Sequence, residues 1–589
     1  MRRALALLPV AAFLFAASAA SAAPAPTRPV YNASGRVIEA PVAPANEPAR
    51  LTQKRATAIF LAYPKVRDWL QRYPKHDRIT ETEYSKKYRN WTVKMWWGKA
   101  GEIVTGRVDD ASGLVTEAWT GPAVAWKMAR GGTGAFGGKK INSYPVWLGF
   151  CAIFLIGLAD WRRPLSLRNL DLIALLSFSV SLWYFNHGNI FTSVPLAYPP
   201  MLYLIARGLY IGLTGRATRG ATRWSAWVLL ALTVFAAGFR VGLNVRSSNV
   251  IDVGFAGVIG AERIVHGEVP YSHMPVEGTL KACGPKDQDG EIRDRIQTNG
   301  RCESANDRGD TYGPVSYESY VPGYLALGWT GKWDDLPAAH ATSIAFDLLC
   351  MLGLGLVGLR FGGPLLGAAL AFSWAAYPFT QYASSSNTND SILPAFLIWG
   401  FWLVTSPFSR GFFLALAGWT KFAALILAPM WSTYPDGLRA PRRKFGFVFG
   451  FAASTVLAFS IFLFEPNVGH ALRVFWDRTI VWQIGRQSPF SIWDWGQYHA
   501  KGIPGLHLEQ RLLEVLLVGA ALLFAIFPRR KTPLQLAALT GVLLLGFELV
   551  LTHWFYLYIP WFFPFVAYAT LAPAPVVETA QDETPVPAG

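Results

Sequence analysis

GFFLALAGWTKFAALILAPMW, residues Gly411–Trp431, is long and apolar enough to cross a bilayer, yet Gly418 and Lys421 stand at its centre. If the stretch crosses once, Arg439, Arg442, Arg443 and Lys444 end on the outer face, against the excess of Lys and Arg that marks cytoplasmic loops. If it dips in as two short half-helices and returns, with Lys421 at the tip, those cations stay inside. Arg529, Arg530 and Lys531 then fall inside as well. A break at that depth is tolerable only when it is buried in protein or lines a wet cavity. The pattern predicts a hairpin.

The rest of the chain supplies the setting. Of its 589 residues 52% are hydrophobic and only 16% charged, which excludes a soluble multidomain enzyme and indicates a polytopic membrane protein. The formal charge of +16 sits largely in short loops between apolar runs, where it orients a membrane protein; nucleic acid is not an expected partner. At about 1.5 Å per residue, runs near 145–160, 170–186, 193–213, 224–243, 340–358, 363–383, 390–406, 445–464, 511–527, 533–551 and 554–572 predict about eleven spans besides the hairpin. The resulting topology puts loops 244–339 and 465–510 on the outer face. Cys283 and Cys302 share the first of these, where an oxidising compartment permits a disulfide worth about 3 kcal/mol. Cys151 and Cys350 fall within spans and are read as apolar packing. No CxxC or His cluster suggests a metal, and no cofactor is evident.

Upstream, Arg2 and Arg3 precede an apolar stretch and the small residues Ala20-Ser21-Ala22, the pattern of a secretory signal at 1–22, with a retained anchor as the competing reading. A Pro/Ala-rich linker, 23–49, leads to a polar segment, 50–126. Helical spacing over Leu51–Arg72, followed by WTVKMWW, GEIVTGRV and GLVTEAWTG around the turn DDASG, predicts a small extracytoplasmic α+β domain. Residues 144–572 form the membrane domain, and 573–589 a disordered tail.

One acidic residue raises a question of chemistry. In SNVIDVGFAGVIGAERIVHGEVPY, Ser248–Tyr271, Asp252 follows a long apolar run and opens a helix that stops at Gly267. Asp is a favoured N-cap, worth about 1 kcal/mol, so a purely structural role competes with a functional one. A carboxylate at the membrane boundary is placed to meet both a lipid headgroup and a water-borne acceptor.

In order, the chain carries IDVGFAGVIGAERIVHGEVPY, DTYGPVSYESYVPGY, SSSNTNDSILP, GWTKFAALILAP, RQSPFSIWDW and HWFYLYIPWFFPF. This succession, from about Trp224 to Ala572, resembles the GT-C superfamily of polyprenyl-phosphate-dependent glycosyltransferases, glycosyltransferase family 87 in particular. The 50–126 segment resembles a PepSY-type domain. The first resemblance implies a GT-C-like fold and transfer of a sugar, with inversion, from a lipid-phosphate donor to a glycan or lipid acceptor on the extracytoplasmic face. It implies Asp252 as the base that takes the acceptor proton. The anionic leaving group calls for cations, and Lys421, Arg478, Arg486 and His553 are the candidates. Glu262, Arg263, Asp310, Tyr312, Asn387 and Asp390 are candidates for substrate binding.

Each candidate also has a plain structural reading. Arg478 and Arg486 fit snorkelling or pairing surface residues, Glu262 and Arg263 a helix-face pair, Asn387, Asn389 and Asp390 a cap on the seventh span, and DTYGP an ordinary turn. The stripes Trp374–Phe379 and Trp554–Phe565 fit packing or an interfacial belt. Two other classes stay open. A transporter also buries charges and breaks helices, but should show corresponding halves. A non-enzymatic assembly or sensor protein would act through the PepSY-like module, which could bind a protein partner.

Overall fold

The computed structural model describes residues 48–573, apart from 72, 87, 98–100, 121–133, 135, 188–189, 277–279, 285–293, 307, 332–334, 440, 485–487, 489 and 494–505, and a short antiparallel strand pair at 30–31 and 37–39. The signal at 1–22, most of the 23–49 linker, all but the first residue of the 573–589 tail, and Arg486 lie outside the described residues.

The N-terminal segment folds as helices Gln53–Ala62 and Pro64–Leu70 on a four-stranded antiparallel meander, Arg78–Ser85, Asn90–Trp97, Gly101–Asp109 and Val115–Thr120. The single helix expected over Leu51–Arg72 divides because Pro64 pushes Tyr63 into an extended conformation. The edge strand RITETEYS was not anticipated: it is polar and mostly exposed, so it lacks the alternation that marks a half-buried strand. Phe60 packs so closely on Gly106 that a Cβ there would lie 2.4 Å from the ring. Asp110 ties the module's start to its sheet, accepting from the backbone N–H of Arg50 at 2.8 Å and Leu51 at 2.9 Å and from Trp91 Nε1 at 2.9 Å.

The remainder is mainly helical. Four helices combine the length and apolarity needed to cross a membrane: Ala226–Ser247, Pro337–Ala376, Lys444–Phe464 and Pro533–Val550. That is fewer than the eleven spans expected. Leu167–Asn186, Ile190–Thr214 and His507–Ile526 have the length, but the first two carry Asp171 and Arg207, the second also contains three prolines, and the third begins with charged residues. Tyr144–Leu158, Ile392–Trp402 and Ile559–Leu571 are apolar but shorter.

The longest of the four helices is two arms. Gly363 has φ 83°, a conformation only glycine adopts readily, and Pro364 follows it. A Cβ on Gly358 would come 2.5 Å from the Cα of Gly367. In a straight helix nine residues span about 13.5 Å, so the chain has doubled back and packs on itself through small residues.

Two buried ion pairs stand out inside the bundle. Arg240 donates from Nε to Asp347 Oδ2 at 3.0 Å and from Nη2 to Oδ1, with Nη1 on Thr380 and the carbonyls of Trp374 and Ala375; Trp374 Nε1 completes Asp347 at 2.7 Å. Asp171 takes Arg207 and the Tyr203 hydroxyl in the same manner.

Gly411–Trp431 is a hairpin. Helix Pro407–Thr420 ends at Lys421, whose backbone is extended, and the chain returns through 3-10 and α turns, Phe422–Leu427 and Ala428–Thr433. Gly418 and Leu425 meet across the two arms. At the base, buried Arg410 donates to the carbonyls of Val404, Trp431 and Tyr434.

Candidate functional site

The extended residue at the hairpin tip sends its side chain into a break between helices Pro378–Ser385 and Ile392–Trp402. There the polar run SSSNTND is fully buried. Lys421 Nζ lies 2.5 Å from Asp390 Oδ1. Trp561 Nε1 donates to the same oxygen at 3.1 Å, and the Thr388 hydroxyl to Oδ2 at 2.6 Å. Three rings surround the ammonium: Tyr558 and Trp561 with centroids at 4.9 Å, and Tyr312 at 5.5 Å. Each lies within cation–π range. With both partners buried, losing either would strand a charge at a cost of about 3–5 kcal/mol.

Lys421 also lines a cavity of about 730 Å³. Thr311, Tyr312, Gln483 and His553 line the same cavity, and His553 Nδ1 is 2.9 Å from the Ser488 hydroxyl. The lining also includes apolar side chains, Phe422 and Ile426 of the hairpin with Leu517, Val518 and Phe547 among them. His507, Arg511 and Glu514, on the first turns of helix His507–Ile526, line it too. The lining is thus amphipathic, with a cation and hydrogen-bonding groups as well as greasy side chains.

The other sequence candidates are distributed around this cavity or away from it. Asp310 is buried and clasped by Arg478, Nε to Oδ2 at 2.6 Å and Nη2 to Oδ1 at 2.5 Å, and it also accepts from the Ser272 N–H at 2.9 Å. Neither lines the cavity, although Thr311 and Tyr312 beside Asp310 do. Asp252 does not line it either; its carbonyl accepts a 3.4 Å bond from Asn306. Ile251 occupies the N-cap position of helix Asp252–Val265 without a side-chain cap bond, and Asp252 is its first residue, an acidic group in the first turn rather than the cap.

Glu262 and Arg263 belong to a closed ring of charge. Arg263 bonds Glu262 at 2.8 Å and Glu303 at 2.9 Å, while Arg301 bonds Glu262 at 2.6 Å and Glu303 at 3.4 Å. Cys302, beside Glu303, is joined to Cys283 in a disulfide. Asn387, at φ 52°, braces the SSSNTND loop against Asn244, Ser248 and Asn249. Among the described residues no group of three or more His, Cys, Asp or Glu side chains is placed to hold a metal ion.

Sequence reasoning did not single out Trp561, Tyr558, Thr388, Gln483 or Glu548. The aromatic stripe holding Trp561 read as packing, and its one usable signal was an indole N–H that needs a partner once buried. No protein-family model matches the chain, and comparison with curated proteins finds no match.

Proposed function

We propose that the protein is a multi-pass, GT-C-like membrane glycosyltransferase of about eleven crossings, in which the shorter apolar helices complete the bundle. It transfers a sugar, with inversion, from a polyprenyl-phosphate donor to an extracytoplasmic glycan or lipid acceptor. The observation that carries this reading is the amphipathic lining of the cavity: it includes Lys421 and His553, which could meet a phosphate, and apolar side chains suited to an isoprenoid chain. Tyr312 and Gln483 would meet the sugar. Arg478, locked on Asp310, would act by fixing the Thr311–Tyr312 segment rather than by touching phosphate, and Asp390 by holding Lys421.

Asp252 would serve as general base. In support, Asp252 stands at the first helical position rather than at the N-cap. Because Asp252 does not line the cavity, the acceptor hydroxyl would have to be presented between it and the cavity. The N-terminal α+β module, PepSY-like in this reading, would bind a protein partner. The test is release of polyprenyl phosphate by purified protein in lipid, supplied with lipid-phosphate-linked sugar and acceptor. No release with any donor sugar, from protein shown to be folded, would sink the reading and favour a transporter or assembly role.

A further inference from the structure

Two loops at one end of the bundle are knitted into a single surface. Residues 159–166 join helix Tyr144–Leu158 to helix Leu167–Asn186, and residues 215–225 join helix Ile190–Thr214 to helix Ala226–Ser247. Thr222 Oγ1 donates to the carbonyl of Gly157 at 2.6 Å and Trp224 Nε1 to that of Ile156 at 2.7 Å. Arg168 reaches from the carbonyl of Leu158 at 2.9 Å to that of Gly220 at 3.3 Å. Helix Ala226–Ser247 is long and apolar enough to cross a membrane, so the loop that precedes it meets the bilayer boundary.

The exposed charge on this surface has one sign. Arg162 and Arg163 stand on the first loop and Arg216, Arg219 and Arg223 on the second, all five exposed. Among the described residues none of the five guanidinium groups has an ion-pair or hydrogen-bond partner. The one acidic residue of the two loops, Asp160, is buried: it accepts from the backbone N–H of Arg162 at 3.1 Å, and a Cβ on Gly220 would lie 3.0 Å from its Oδ2. The basic run Arg529-Arg530-Lys531 differs, since Arg530 lies 3.9 Å from Asp436 and Lys531 is buried on the carbonyl of Pro528 at 2.8 Å.

Apolar side chains share the surface. Leu165 is fully exposed, Trp161 and Trp224 are exposed immediately next to Arg162 and Arg223, and Trp227 is exposed one turn into the spanning helix. Water penalises such side chains, whereas indole rings are favoured at the level of lipid headgroups. An acidic protein would satisfy the arginines alone; an anionic membrane surface satisfies the arginines and the apolar side chains together.

We propose that this surface is a binding site for anionic phospholipid, with the five arginines on the headgroup phosphates and Trp161, Leu165, Trp224 and Trp227 set into the adjoining interface. The guanidinium fork matches the paired oxygens of a phosphodiester. The site is separate from the Lys421 cavity and does not depend on any reaction there.

The experiment is native mass spectrometry of the full chain in detergent, titrated with phosphatidylglycerol and with phosphatidylcholine of the same acyl chains. The wild type should bind phosphatidylglycerol about tenfold or more tightly than phosphatidylcholine, and Arg162→Gln/Arg163→Gln/Arg216→Gln/Arg219→Gln/Arg223→Gln should bring the two lipids level. Arg529→Gln/Arg530→Gln should keep the preference. Equal binding of the two lipids by the wild type overturns the proposal. A preference that survives the fivefold replacement places the lipid elsewhere, the Lys421 cavity included, and also overturns it. An equal loss in Arg529→Gln/Arg530→Gln would show diffuse charge in place of a site. A polyglutamate peptide bound as tightly as phosphatidylglycerol would replace the lipid with an acidic protein partner. If the fivefold variant does not fold, Arg162→Gln/Arg163→Gln and Arg219→Gln/Arg223→Gln decide the matter: each should weaken phosphatidylglycerol and leave phosphatidylcholine unchanged, and no effect from either overturns the proposal.

Discussion

Arg410 donates from Nε to the carbonyl of Trp431 at 3.1 Å, so the two ends of the hairpin are clamped to one side chain. Nη2 adds the carbonyl of Tyr434 at 2.9 Å, and Nη1 that of Val404. The planar guanidinium reaches all three at once, which a lysine ammonium cannot do from a single position. Arg410→Met should destabilise the protein by about 3 kcal/mol through orphaned carbonyls, and Arg410→Lys should recover only part of that loss. Thermal unfolding in nanodiscs measures both, and equal stability of the Lys variant and wild type would show the clamp to be dispensable.

Arg240 and Asp347 form a buried pair whose loss should be severe. Arg240→Met or Asp347→Leu alone should cost about 3–5 kcal/mol, because each leaves an uncompensated charge, whereas the double replacement should cost markedly less. A double-mutant cycle reads the coupling directly. Additive losses would mean that the two side chains contribute independently.

Glu318, at the end of the short helix Pro314–Glu318, has its carboxyl pushed up to about 8 by burial. A carboxyl whose folded value lies above its unfolded value stabilises the protein below the unfolded value, near 4.5, and loses that contribution as pH rises through about 8. The melting temperature of the wild type should therefore fall relative to Glu318→Gln between pH 5 and pH 9. Parallel curves across that range would contradict the shift.

The pairing of Lys421 with Asp390 changes how its role must be probed. Lys421→Ala alone strands a buried carboxylate, so loss of activity would report misfolding as readily as lost recognition. Lys421→Met combined with Asp390→Asn removes both charges and should keep most of the stability. Its affinity for farnesyl phosphate should drop at least tenfold, the loss of one charge-assisted contact of about 1.5–3 kcal/mol. Unchanged affinity would take Lys421 out of the donor site.

Asp252→Asn retains size and shape but cannot accept a proton at neutral pH. With Ile251 in the cap position, folding should be untouched. Sugar transfer should fall by about 10²-fold or more while donor binding stays near wild type. Near-normal turnover would move the search for the base elsewhere.

How far these features could be read from sequence depends on the kind of signal each leaves. The hairpin was legible because four cations after Trp431 argued against a single crossing and Gly418 and Lys421 interrupt the apolar run at its centre, where the chain does turn. The strands Asn90–Trp97 and Gly101–Asp109 were legible from alternation and a DDASG turn, in which Ser112 bonds Asp109 and Gly113 takes φ 68°. The partner of Lys421 was not. Asp390 looks like a cap in one dimension, and only packing of the C-terminal helix brings Trp561 to the same carboxylate oxygen. Arg240 and Asp347 escaped for a related reason: single charges inside apolar runs lower the hydropathy of each span a little, and nothing local says that they meet. Only four of the expected crossings stand out by length and apolarity, because mean hydropathy cannot distinguish a span from a shorter helix packed among others.

Because Arg410 fixes where the hairpin begins and ends, the depth of its tip is a ruler graduated in residues. Adding one alanine between Arg410 and Lys421 would advance the tip by about 1.5 Å and swing it through about 100°. The ammonium would then leave Asp390 and the three rings together, although every side chain named above would still be present. Single-residue insertions and deletions in this arm should thus be far more damaging than most substitutions in it. The register of an apolar segment, which composition alone leaves unconstrained, is itself heritable information here.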